Sequence, residues 1–156
     1  MTNKISIERK RLNSLYSKTT DFKDPELQSH WVKYLCILSS GHIENSIRYI
    51  YGTYAKNKSH KNIANYIQNN LSRFQNPTTE KIIHITSAFN KDWGENLEKY
   101  ISDSDEMKSS INSIIGLRNL IAHGESVTVT YSSLDKYWKN TIKVLEFIEK
   151  QSYKIK

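Results

Sequence analysis

The chain has 156 residues, with 23 Lys and Arg against 16 Asp and Glu, a net charge of +7, and 37% hydrophobic residues. That length suits one domain with one core, and apolar residues recurring at helical spacing exclude a disordered chain. The basic surplus points to a polyanionic partner, nucleic acid first, or equally to a Lys-rich solvated surface.

Only two prolines and five glycines interrupt the sequence, which favours long helices. Residues 4–19 carry Ile5, Leu12, Leu15 and Tyr16 and predict a weak first helix. Asp24-Pro25-Glu26 then has the order of cap, first position and first-turn acid. A long helix follows to about Ala55. Its stripe of Trp31, Leu35, Leu38, His42, Ile43, Ile47, Ile50, Tyr51 and Tyr54 at three- and four-residue steps marks a central core element. Asn57-Lys58-Ser59-His60 is a polar break before a helix with Ile63, Tyr66, Ile67 and Leu71. Asn76-Pro77 predicts the cap and first position of a helix running to about residue 91, and a short one over 95–101 can follow Gly94. Asp103-Ser104-Asp105 opens a helix carrying Met107, Ile111, Ile114, Ile115, Leu117, Leu120 and Ile121, which stops at Gly124. After an extended Val127–Thr130, a last helix capped within Ser132–Asp135 holds Tyr137, Trp138, Ile142, Leu145, Phe147 and Ile148. The fold class is all-α, a single domain over 1–156 with its core at about 26–150 and a leading helix at 4–19.

Cys36 is the sole cysteine, so no internal disulfide forms, as suits the reducing cytoplasm. Its apolar neighbours predict a buried small residue rather than a nucleophile. No apolar run is long enough for a membrane span, and the N-terminus does not look like a signal peptide. His42 falls on an apolar stripe and is read as a core histidine. His60 and His84 have no companions at metal-ligand spacing, so no metal site is expected. The absence of a Gly-rich phosphate loop argues against an ATPase or kinase. Bases crowd both chain ends, including Lys4, Arg9, Lys10, Arg11, Lys143, Lys150, Lys154 and Lys156, and acids crowd 92–106. A basic face and an acidic one are expected.

Arg118, Asn119 and His123 stand inside an otherwise apolar helix end. Asn119 and His123 are four apart and share a face, and the long Arg118 side chain can swing to the same area. A guanidinium can bind a phosphate and neutralise charge developing on it. An imidazole near a helix C-terminus can hold or release a proton near neutrality. Together the three groups suit RNA strand scission by a 2′-hydroxyl. The competing structural reading is a pair of side chains that complement the helix dipole.

The segment Ser113–Gly124 closely resembles the Arg-x(4–6)-His signature of HEPN domains, in its Arg-Asn-x-x-x-His form. Trp31–Leu38, Gly41–Arg48, Asn76–Ile82, Phe89 and Trp93 extend the likeness to the RiboL-PSP-HEPN branch. The resemblance implies a bundle of about five to six helices that dimerises with its motif helices facing one another across a shared cleft. It implies a cofactor-free, metal-independent endoribonuclease acting as a toxin or anti-phage effector, with RNA as substrate and an antitoxin as restraint. By the same likeness Arg118 and His123 are catalytic and Asn119 positions. Glu44 is the early-helix acid, ahead of Asn45, although it is equally placed to pair with Arg48. Arg48, Lys56, Lys58 and Lys61 are expected to contact RNA. A non-catalytic module binding nucleotide or protein through that cleft is the alternative.

Overall fold

The structure, a computed structural model, describes residues 3–153, so Lys154 and Lys156 of the C-terminal basic group lie outside the described residues. Seven α-helices follow in order: α1 (Lys4–Ser17), α2 (Pro25–Lys58), α3 (Lys61–Leu71), α4 (Thr79–Phe89), α5 (Lys91–Ser102), α6 (Asp105–Ala122) and α7 (Tyr131–Tyr153). A 3-10 turn over Lys18–Asp21 joins α1 to α2. Among the described residues there is no strand, and no helix is long and apolar enough to cross a membrane.

Among the described residues seven helices replace the five to six that the resemblance implies, for two physical reasons. First, α1 is part of the core rather than an appendage. Ile5, Leu12 and Tyr16 are buried, Tyr16 stacks on Trp138 with ring centroids 5.6 Å apart, and Trp138 donates its indole N–H to Asn13 at 2.8 Å. Arg9, counted in sequence as a surface cation, instead lies 3.4 Å from Glu146 and 3.7 Å from Glu149 on α7. Second, α5 is a full helix. Asn90 caps it by accepting from the Trp93 N–H at 3.2 Å, and Trp93, Leu97 and Ile101 bury one face. Gly94 lies inside it because α4 packs close: an added Cβ would stand 2.8 Å from the Ser87 Cα.

Two boundaries also differ from expectation. Asn76 adopts a left-handed φ of 50°, and Thr78 caps α4 by accepting from the Lys81 N–H at 3.3 Å. The start therefore shifts past Asn76-Pro77. The last helix begins at Tyr131, with the Thr130 hydroxyl accepting from the Ser133 N–H at 3.1 Å, and it runs to Tyr153.

Paired contacts set the helix directions. Gln28 reaches the Thr19 carbonyl and Asn45 reaches Glu8, so α1 and α2 are antiparallel. Asn13 meets Trp138 and Asn3 meets Glu149, so α1 and α7 are antiparallel and α2 runs parallel to α7. The Cys36 thiol donates to the Ile114 carbonyl at 3.6 Å. Further along α2, His42 packs on Trp138, and Asn140, close by on α7, reaches Ser110. As α2 ascends, its α6 neighbours descend, so α6 is antiparallel to α2. The C-terminal end of α6 thus lies toward the start of α2.

Candidate functional site

Ile111, Ile114 and Ile115 are buried and anchor α6 in the core. Gly116, Leu120 and His123 therefore emerge on the outer side, at steps of four and three, and all three are exposed. Arg118 and Asn119 are half-buried beside them. The Arg118 Nη1 donates to the Asn119 Oδ1 at 3.1 Å. That bond holds the amide oxygen and leaves the amide hydrogens as donors.

The end of α6 is locked by its backbone. The Gly124 N–H donates to the Ile121 carbonyl at 3.1 Å and the Glu125 N–H to the Leu120 carbonyl at 3.0 Å. This is a Schellman motif, which needs a left-handed residue after the cap, and Gly124 supplies it with φ 70°. His123 is the cap itself, and its N–H donates to the Asn119 carbonyl at 3.1 Å. Asn119 is thus joined to Arg118 through its side chain and to His123 through its backbone. Among the described residues no carboxylate pairs with Arg118, and no side chain hydrogen-bonds the His123 imidazole.

Arg118, Asn119 and His123 stand at one end of α6, the first two joined by their side chains and His123 to Asn119 by its backbone, whereas Glu44 stands elsewhere on α2. Glu44 lies 2.6 Å from the Arg48 Nη2. Relative to the Cys36–Ile114 contact, Glu44 lies up α2 and the motif lies down toward the α2 start. The offset is roughly 20 Å along the bundle at 1.5 Å per residue. Arg48 also donates to the Phe74 carbonyl through Nε at 3.2 Å and Nη2 at 2.8 Å, anchoring the turn before α4. Of the expected RNA contacts, Arg48, Lys56 and Lys61 line one cavity, and Lys58 is exposed outside its walls. Lys4 joins that cavity from α1; nothing in the local sequence pairs it with Lys56.

The core readings of Cys36 and His42 hold. Burial pushes the Cys36 thiol up to about 12, so it is not a ready nucleophile. His42 is buried between Ser46, 3.2 Å from Nε2, and Glu8, 3.4 Å from Nδ1. Burial lowers its pKa, and the Glu8 carboxylate opposes that shift. Both residues fasten α2 to its neighbours and are enclosed.

The profile of the RiboL-PSP-HEPN family matches residues 3–154, essentially the whole chain. No curated protein and no solved structure matches it.

Proposed function

The chain belongs to the RiboL-PSP-HEPN family, and on that footing we propose that it is a metal-independent endoribonuclease whose reacting groups are Arg118, Asn119 and His123. The observation that carries this reading is the open triad at the capped end of α6, with Arg118 and Asn119 joined at 3.1 Å and the imidazole exposed one turn on.

In the proposed reaction the ribose 2′-oxygen attacks the adjacent phosphorus. One imidazole takes the 2′-hydroxyl proton as the new O–P bond forms. The P–O5′ bond breaks, and a second imidazolium gives its proton to the departing 5′-oxygen. The products are a 2′,3′-cyclic phosphate and a 5′-hydroxyl. Arg118 stabilises the charge on the pentacoordinate phosphorus, and the Asn119 amide orients the phosphate or ribose. Glu44 holds Arg48 in place and is not assigned to the reaction.

Each chain presents one His123, so the second imidazole comes from a second copy facing the first. Features on α6 and α2 favour such a face. Leu120 is 39% exposed and Ile37 43% exposed, more than their apolar side chains favour. Added Cβ atoms at Gly116 and Gly41 would meet nothing within 4 Å, so a partner backbone can approach closely. Exposed bases, Lys58 among them, supply sequence-independent affinity that weakens with salt. In the cell the enzyme acts as a toxin or anti-phage effector restrained by a cognate inhibitor.

The test is incubation of purified wild-type, Arg118→Ala and His123→Ala protein with total RNA in EDTA. Cleavage by the wild type alone is expected, together with growth arrest on expression that His123→Ala relieves. RNA left intact by the wild type in every buffer would favour a non-catalytic binding module. Equal cleavage by all three proteins would remove the assigned site.

A further inference from the structure

A second chemistry-bearing feature stands apart from the motif. A cavity of about 810 Å³ opens between α1, α2 and α3, lined among others by Lys4, Arg48, Tyr49, Lys56, Lys61 and Gln68. Its volume is that of sites for small organic ligands. Four cations face it against one acid, Glu8. That acid is turned to its neighbours: its Oε1 receives the amide of Asn45, also on the cavity wall, at 3.2 Å, and its Oε2 is buried 3.4 Å from His42.

The cations differ in a useful way. Arg48 is fixed through Nε and Nη2 by the Phe74 carbonyl and Glu44, which leaves its Nη1 donors without a partner among the described residues. Lys4, Lys56 and Lys61 are exposed and pair with no carboxylate among the described residues. One preset planar donor with three adaptable ammonium groups suits a phosphate.

The rest of the wall suits a nucleoside. Tyr49 is half-buried and offers a ring on which a base can stack. Gln68 offers an amide for a base edge. Its position depends on Gly52, where an added Cβ would stand 2.6 Å from the Gln68 Oε1. The missing side chain lets this amide lie against α2.

We propose that this cavity binds a nucleoside phosphate, with the phosphate on Arg48, Lys56 and Lys61 and the base between Tyr49 and Gln68. The site is independent of the motif, which lies more than about 20 Å away along the bundle by helix rise. The ligand can be a free nucleotide or one nucleotide of an RNA chain, since both present the same phosphate, ribose and base.

The experiment is calorimetric titration of the full chain with AMP, ADP and a 2′-O-methyl oligoribonucleotide that cannot be cut by 2′-hydroxyl attack. Wild type, Arg118→Ala, and a Lys56→Glu/Lys61→Glu double variant are compared. Both lysines are exposed, so the double variant keeps its fold, with thermal melting as the check. Nucleotide binding is expected to persist in Arg118→Ala, where the motif offers no guanidinium, and to weaken at least about tenfold in the double variant relative to wild type, as for lost charge-assisted hydrogen bonds. Displacement of the oligonucleotide by AMP identifies the source as RNA, and independent binding identifies it as free nucleotide. Absence of nucleotide binding to the wild type, or binding unchanged in the double variant, overturns the proposal. Cleavage activity does not enter this readout, so failure of the nuclease reading leaves the result interpretable.

Discussion

Replacing Gly124 by Ala tests whether the left-handed turn after His123 holds the site. The variant must place a Cβ on a residue with φ 70°. Nothing lies within 4 Å of that Cβ, so no clash adds to the conformational cost. An L-residue in that region costs about 1–2 kcal/mol. The stiffer unfolded chain returns about 0.4–1 kcal/mol. The net loss is therefore about 1 kcal/mol, readable as a lower urea midpoint at unchanged slope. Gly116→Ala, melted at concentrations where the chain is monomeric, is the stability control, because within one chain it too meets nothing within 4 Å but lies inside α6. It should gain about 0.5–1 kcal/mol in chain stability. A domain with ordinary stability stays almost fully folded after a 1 kcal/mol loss. RNA cleavage by Gly124→Ala should nonetheless fall, because the turn no longer orients the imidazole. A variant as stable as the wild type, or one with full activity despite the lost stability, would refute the argument that this glycine sets the geometry.

Three other outcomes follow from the packing. Buried His42 has its pKa lowered, so below about pH 6.5 the unfolded chain takes up a proton that the folded chain resists. Stability should decline as pH falls through that value, and urea melts of His42→Gln should show a flatter pH profile; identical profiles would contradict it. Cys36 should resist a thiol reagent in the native protein and react after denaturation, since the group is buried and its pKa is raised to about 12. Fast native labelling would show the α2–α6 contact to be loose. Gly94→Ala should lower the melting temperature, since its Cβ would sit 1.8 Å from the Ser87 Oγ and overpacking costs about 1–3 kcal/mol. An unchanged melting curve would mean α4 and α5 separate freely.

Much of this fold is legible because local rules and tertiary packing agree. Leu35, His42, Ile43, Ile47, Ile50 and Tyr51 of the α2 stripe are buried as their spacing predicts, Leu38 is half-buried, and Asp24 and Gly124 act as start and stop. Disagreements arise where the deciding contact is distant in sequence. Gly94 looks like a breaker until Ser87 is seen against it, and the thinly apolar α1 becomes core only because Trp138 and Glu149 receive it. At Asn76-Pro77 two neighbouring residues could each cap, and Asn76 takes the left-handed turn while Thr78 takes the helix. The site divides in the same way. Arg118, Asn119 and His123 lie within six residues, so helix geometry alone predicts their association. The distance from Glu44 to the motif depends on how α2 and α6 are aligned, which neither helix encodes by itself. The grouping of Lys4 with Lys56 and Lys61 depends on the same long-range docking.

The central claim is that a phosphate held by Arg118 and Asn119 reacts with its own ribose while His123 carries the protons. The most direct measurement is the chemistry of the new ends when wild-type protein cuts a defined RNA. A 2′,3′-cyclic phosphate beside a 5′-hydroxyl is predicted, with no cutting of the same RNA bearing 2′-deoxyribose at the scissile position. Fragments ending in a 3′-hydroxyl and a 5′-phosphate, or undiminished cutting at the deoxyribose, would contradict it.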